Sequence, residues 1–197
     1  MNQPVPAARM PRPLVELCDV AELEEEARAL LGDREAPRDF IAALVDQERY
    51  ADAIRLLAHA LPKREAIWWA WTSARQVLDG DPPLNIRAAL DATERWIRQP
   101  SEETRRPMLR IAEEADLGTP AGCAALAVFL SGGSIAPPEA PPVEPNEFAA
   151  AKAIAGSIVL AAVSTEPETA PAKFRGFIDR GVDIASRIDL WPAVKAR

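Results

Sequence analysis

A chain of 197 residues that is 48% hydrophobic can bury the core of one packed domain. Its formal charge of −7 is made of interspersed signs with no basic stripe, which argues against nucleic acid and against anionic membrane surfaces as partners. Two cysteines, Cys18 and Cys123, are too few and too scattered for a disulfide framework and read as small apolar residues of a reducing compartment.

The first residues, Met1 to Arg9, lack the apolar stretch of a secretory signal. The longest apolar run, Phe148 to Val163, covers 16 residues and contains Lys152, short of the roughly 20 that cross a bilayer. A cytoplasmic protein without membrane insertion is the expectation. Arginine outnumbers lysine nineteen to four and alanine is abundant, a coding bias that leans towards a bacterial source.

Strand signals are nearly absent and helix signals recur, so the expected fold is all-α: about eight helices in one bundle or solenoid-like domain. Residues 1–18 read as an N-terminal extension, 19–188 as the domain and 189–197 as a tail anchored by Trp191. Asp19 followed by Glu22 has the capping-box spacing and predicts a helix to about Leu31, stopped at Gly32. Pro37 suits a first helical position, with Phe40, Ile41 and Leu44 inward. The next helix, from about Glu48 to Leu61, turns Tyr50, Ile54, Leu57 and Leu61 inward. Pro62 ends it or starts the tryptophan-bearing helix that follows.

From about Pro83 to Arg98 the pattern is cleanly amphipathic. Ile86, Ala89, Leu90, Thr93, Trp96 and Ile97 lie on one side, with Arg87, Asp91, Glu94, Arg95 and Arg98 on the other. Ser101 caps a helix opened by Glu102 and Glu103 and bent by Pro107. Thr119-Pro120 opens another helix that ends at Ser131-Gly132-Gly133. Residues 134–145 hold five prolines and predict a semi-rigid extended connector crossing one face of the domain. Asn146 then caps a helix to about Ser164 that is apolar all round, the mark of a central, buried helix. The last helix, about Pro171 to Ile188, carries Gly181 within its apolar face, where a missing side chain lets another element approach.

Three of the five tryptophans fall in Trp68-Trp69-Ala70-Trp71. At 100° per residue, Ile67, Trp71, Ala74 and Leu78 share a face, with Trp68 at its edge near Arg75, and Trp68, Trp71 and Trp96 are expected in the core. Trp69 points nearly opposite, beside Glu65, Ser73 and Gln76. Two readings stay open: the helix is packed on two sides, or Trp69 is offered to a partner. Arg105 and Arg106, with Arg110, form a possible anion-binding patch that Glu102 and Glu103 are placed to neutralise.

No catalytic constellation emerges. His59 is the only histidine and sits between inward alanines. No phosphate loop or Gly-x-Ser-x-Gly motif is present, zinc would need unusual ligands, and the carboxylate runs read as solvated faces. No catalytic residue, cofactor or metal is assigned.

Arg49-Tyr50-Ala51-Asp52-Ala53-Ile54-Arg55-Leu56-Leu57-Ala58-His59-Ala60-Leu61-Pro62 resembles the second helix of a tetratricopeptide repeat, with Ala53, Leu57 and Ala60 at the small–large–small spacing. No second copy near a 34-residue period accompanies it. Leu61-Pro62-Lys63-Arg64-Glu65-Ala66-Ile67-Trp68-Trp69-Ala70 and Ala127-Val128-Phe129-Leu130-Ser131-Gly132-Gly133-Ser134 are similar to an uncharacterised bacterial family of helical proteins. That resemblance implies no activity, and an association with secretion gene clusters.

The function these features favour is a non-enzymatic interaction or adaptor protein binding another protein, with Trp69, Arg75, Arg105 and Arg106 as candidate contact residues. The alternatives are a small-ligand protein or helical enzyme with a pocket of Trp68, Trp71 and Trp96, and an accessory protein or chaperone of a secretion system.

Overall fold

The computed structural model describes residues 12–78 and 80–191. Within them lie eleven α-helices and one 3₁₀ turn, with no strand. In chain order they are α1 Leu14–Val20, α2 Glu25–Ala29, α3 Pro37–Asp46, α4 Tyr50–Ala60, α5 Lys63–Gln76 and α6 Leu84–Arg98. Then come α7 Glu102–Arg105, α8 Met108–Glu114, α9 Pro120–Phe129, α10 Ala149–Val163, the turn Pro167–Thr169, and α11 Ala170–Arg187. The count exceeds eight because stretches read as single helices are broken.

The caps explain several boundaries. The Ser101 hydroxyl accepts the amide of Thr104 at 3.2 Å, and that of Thr119 accepts the amide of Gly122 at 3.0 Å, each satisfying one orphan donor of a first turn. Pro107, without an amide proton, divides α7 from α8. Asn146 does not cap α10: its side chain accepts the Phe148 amide at 2.9 Å in a turn before the helix, whose N-cap position is Phe148, with no side-chain cap bond.

The N-terminal assignment needs correction. Asp19 does not open a helix; it lies near the end of α1, and Glu22 adopts a left-handed φ of 52° in the turn that follows. Leu17 and Cys18 are buried in the core, so the packed body reaches back to α1, ahead of Asp19. Residues 1–11 of the expected extension and 192–197 of the expected tail lie outside the described residues. Trp191, together with Leu190, packs against the core as an anchor.

Of the two expected forms, bundle and solenoid, the packing is that of a bundle. In a solenoid each unit touches its sequence neighbours. Here α10, late in the chain, packs against α4, α5, α9 and α11. It is central as its all-round apolarity implies, although Val163 at its end reaches solvent. Buried alanines are frequent in α10 and in its neighbour α9: Ala121, Ala124, Ala125 and Ala127 of α9 and Ala150, Ala155, Ala161 and Ala162 of α10. Their small side chains bring the helix backbones close.

The proline-rich segment is not the extended strut its composition predicts. It closes on itself: Ile135 donates its amide to the Val143 carbonyl at 2.8 Å, and the Ser134 hydroxyl accepts from the amides of Ala136 and Val143, each at 3.1 Å. Ala140 completes a turn by donating to the Pro137 carbonyl at 3.0 Å. The segment is a loop pinned at its neck.

Candidate functional site

Helix α5 is packed on two sides. Its Ala66, Ile67, Ala70, Ser73 and Ala74 are buried, and the helix meets α9 and α10, α6, and also α11. Trp69, the side chain offered as a candidate partner contact, is 0% exposed and is the largest fully buried side chain among the described residues. Its indole nitrogen donates to the Phe177 carbonyl of α11 at 2.7 Å. The ring lies over Gly181, where a Cβ would come within 2.9 Å of it. Gly181 is thus the counterpart of Trp69, the gap in one helix that admits the aromatic of the other. Ser73 is buried beside it, its hydroxyl donating to the Trp69 carbonyl at 2.9 Å. Of the two readings of Trp69, the second packing face is the one found, and a contact surface centred on Trp69 is withdrawn.

The exposed aromatic is its neighbour. Trp68, at the edge of the inner face and expected in the core with Trp71, is instead 36% exposed. Trp71 is half-buried: its indole nitrogen donates to the Leu90 carbonyl of α6 at 2.9 Å, and the Arg75 guanidinium lies 4.9 Å from its ring centroid. One turn before Trp68, Arg64 donates through Nε to the Ile97 carbonyl of α6 at 2.7 Å. Arg64, Trp68, Trp71 and Arg75, spaced four, three and four residues apart, therefore form one ridge along α5 on the side of α6.

Across from this ridge, α6 presents Arg87, Asp91, Glu94 and Arg98 at the same spacing. Between the two helices opens a cleft of about 460 Å³, whose walls include Trp71, Arg75, Arg87, Leu90, Asp91 and Glu94. Arg87 is ion-paired with Asp81, and Arg98 with Glu94. Arg64, Arg75 and Asp91 have no oppositely charged partner among the described residues. Of the expected tryptophan pocket, only Trp71 lines the cleft; Trp96 is buried on the inner face of α6.

Arg105 and Arg106 do not form an open anion site. Arg105 is buried, with a bidentate bond to Glu102 at 2.6 and 2.7 Å, a bond to the Phe129 carbonyl, and one to the Ser134 carbonyl at 2.9 Å. Arg106 donates to the carbonyls of Ser134 at 2.9 Å and Ala136 at 2.8 Å. The guanidinium hydrogen bond from Arg105 holds the Glu102 carboxyl below the usual carboxylate range. A Cβ at Gly133, where φ is +62°, would collide with Arg105. These arginines clamp the neck of the proline-rich loop, and Glu102 neutralises them.

His59 is largely buried. Its Nδ1 lies 2.8 Å from the Arg55 carbonyl and so carries the proton, its ring is tilted against Phe148, and Nε2 is buried without a partner. Burial pushes its pKa down, which leaves the neutral ring favoured. Burial likewise pushes the Cys18 and Cys123 thiols up, away from the reactive thiolate. No group of three or more His, Cys, Asp or Glu residues gathers as a metal site among the described residues, and no single helix there is long and apolar enough to cross a membrane.

The sequence missed Trp68 as the exposed member of the run because a helical wheel shows angles and not neighbours. The signal was present in its spacing from Arg64, Trp71 and Arg75. No curated protein and no solved structure matches the chain. Residues 40–185 match the model of a family of unknown function, DUF6931; with most of the chain inside that match, the protein belongs to this family.

Proposed function

We propose that this protein is a non-enzymatic interaction module that binds another protein through the ridge of α5 and the groove it forms with α6. The observation that carries this reading is the exposure of Trp68 beside Trp71, with Arg64 and Arg75 at the two ends. Tryptophan and arginine are the residues most often found as energetic anchors of protein interfaces. An aromatic left 36% exposed on a helix whose other faces are well packed contributes less to the fold than its buried neighbour.

The test is comparative capture from the native cell extract, using the wild type, Trp68→Ala, Arg75→Glu and a control, Glu35→Lys, on the exposed loop before α3. A protein retained by the wild type and the control but lost from both groove variants supports the reading. Identical capture by all four contradicts it. Service as an accessory protein of a secretion system is one form of this function, and the captured partner would decide it.

The cleft favours a second reading, since its volume lies in the range of small-molecule sites. Against it, half of the lining residues are charged and the tryptophans do not converge. A metabolite that changes the fluorescence of the wild type but not of Trp71→Phe would favour the small-ligand protein.

A further inference from the structure

We propose that the occupant of the α5–α6 groove is an acidic amphipathic helix from another polypeptide. This rests on the interaction reading above and adds the class of partner. Three features of the groove specify it.

The first is shape. Residues repeat at four and three along both helices: Arg64, Trp68, Trp71 and Arg75 form the ridge of α5, and Arg87, Asp91, Glu94 and Arg98 that of α6, with Trp71, Arg75, Arg87, Asp91 and Glu94 of these lining the cleft itself. That spacing forms the ridges between which a third helix seats its own side chains. With no strand among the described residues, there is no sheet edge there for an extended peptide to join.

The second is charge. The chain carries −7 overall, yet Arg64 and Arg75, one at each end of the tryptophan pair, have no carboxylate within ion-pairing distance among the described residues. Eleven residues of helix set their Cα atoms about 16 Å apart, so the occupant needs acids near both ends of a three-turn stretch. In the middle of the opposite wall stands Asp91, the groove carboxylate without a cation, since Asp81 and Glu94 are engaged by Arg87 and Arg98. It disfavours a further acid at the occupant's centre.

The third is the apolar part. Trp68 and Trp71 lie between the two arginines, where an apolar stripe at i, i+3 or i+4, and i+7 on the incoming helix would cover them. The Trp71 nitrogen is already bonded to Leu90, so burying that ring strands no donor.

The experiment is a selection from a library of random 20-residue peptides displayed against the full chain, with binders sorted by loss of binding to Trp68→Ala. The expected Trp68-dependent peptides show helical apolar spacing with Asp or Glu towards both ends, and become helical on binding. They lose at least tenfold in affinity for an Arg64→Glu/Arg75→Glu double variant, which gains affinity for the same peptides carrying Lys at those positions. Arg75→Glu alone, whose guanidinium makes no backbone or carboxylate bond, repeats the test if the double variant folds poorly. Trp68-dependent peptides that are extended, basic or indifferent to charge reversal would overturn the acidic helix and leave the interaction reading standing. A selection yielding no Trp68-dependent peptide would overturn both. Self-association in sedimentation that Trp68→Ala abolishes would assign the groove to a second copy of this chain instead.

Discussion

Trp68 and Trp69 are adjacent in the chain and do opposite things. The side of α5 that meets α11 is dry and closed: Trp69 is buried, hydrogen-bonded to a carbonyl and seated in the notch of Gly181. The side that meets α6 is only half closed, with Trp71 bridging to Leu90 and Trp68 partly exposed. A residue's type does not settle its role here; the number of helices packed around α5 does. One tryptophan lies wholly inside the fold, and the next keeps part of its ring in solvent.

Truncations on the two sides break this comparison most sharply. Trp69→Ala should cost about 3–5 kcal/mol in urea unfolding, the range for large aromatics removed from a core. Gly181→Val should cost about 1–3 kcal/mol by overpacking against the same ring, since even the first added carbon meets it at 2.9 Å. If Gly181→Val were neutral, the notch would not be tight. Trp68→Ala, by contrast, removes a ring already 36% exposed and should cost clearly less, about 1–2 kcal/mol.

A buried arginine gives an effect of intermediate size. Arg105→Gln leaves the Phe129 and Ser134 carbonyls and the Glu102 carboxylate short of donors, at about 1–3 kcal/mol. Limited proteolysis should then cut within residues 134–145 faster than in the wild type. Unchanged cleavage would mean that Arg105 does not hold the loop.

The smallest effect concerns pH. His59 has its pKa pushed below the ordinary 6.5 by burial, so near and below that pH the unfolded chain binds more protons than the folded one. Stability present above pH 6.5 is therefore lost as pH falls towards the lowered folded value, at no more than about 1.4 kcal/mol per pH unit for one proton. As this is the only histidine, His59→Leu should flatten that slope between pH 6.5 and 5, measured as unfolding midpoint against pH. A slope that survives the substitution would place its origin elsewhere.

Much of the helical order was legible in the sequence because its determinants are local. Ser101 and Thr119 cap, Pro107 disturbs its helix (though it breaks the expected bent helix in two), and the apolar face of α6 is read directly from its periodicity. The central place of α10 followed from its all-round apolarity. What failed depended on distant residues or on local ambiguity. Asp19 and Glu22 have capping-box spacing but straddle the end of α1 rather than the start of a helix. Proline content suggested an extended connector, whereas its fold is set by Arg105 and Arg106, about thirty residues upstream of the carbonyls they hold. Gly181 was legible as a point of close approach, but nothing local to it named Trp69 as the side chain that fills the gap.

The opposed fates of the two tryptophans are tested most directly by ¹⁹F NMR of the 5-fluorotryptophan-labelled chain, with resonances assigned through Trp68→Phe and Trp69→Phe. On addition of a soluble paramagnetic gadolinium chelate, the Trp68 resonance should broaden while that of Trp69 stays sharp. Broadening of Trp69 with Trp68 unaffected would invert the two faces of α5 and remove the basis for the groove as a binding surface.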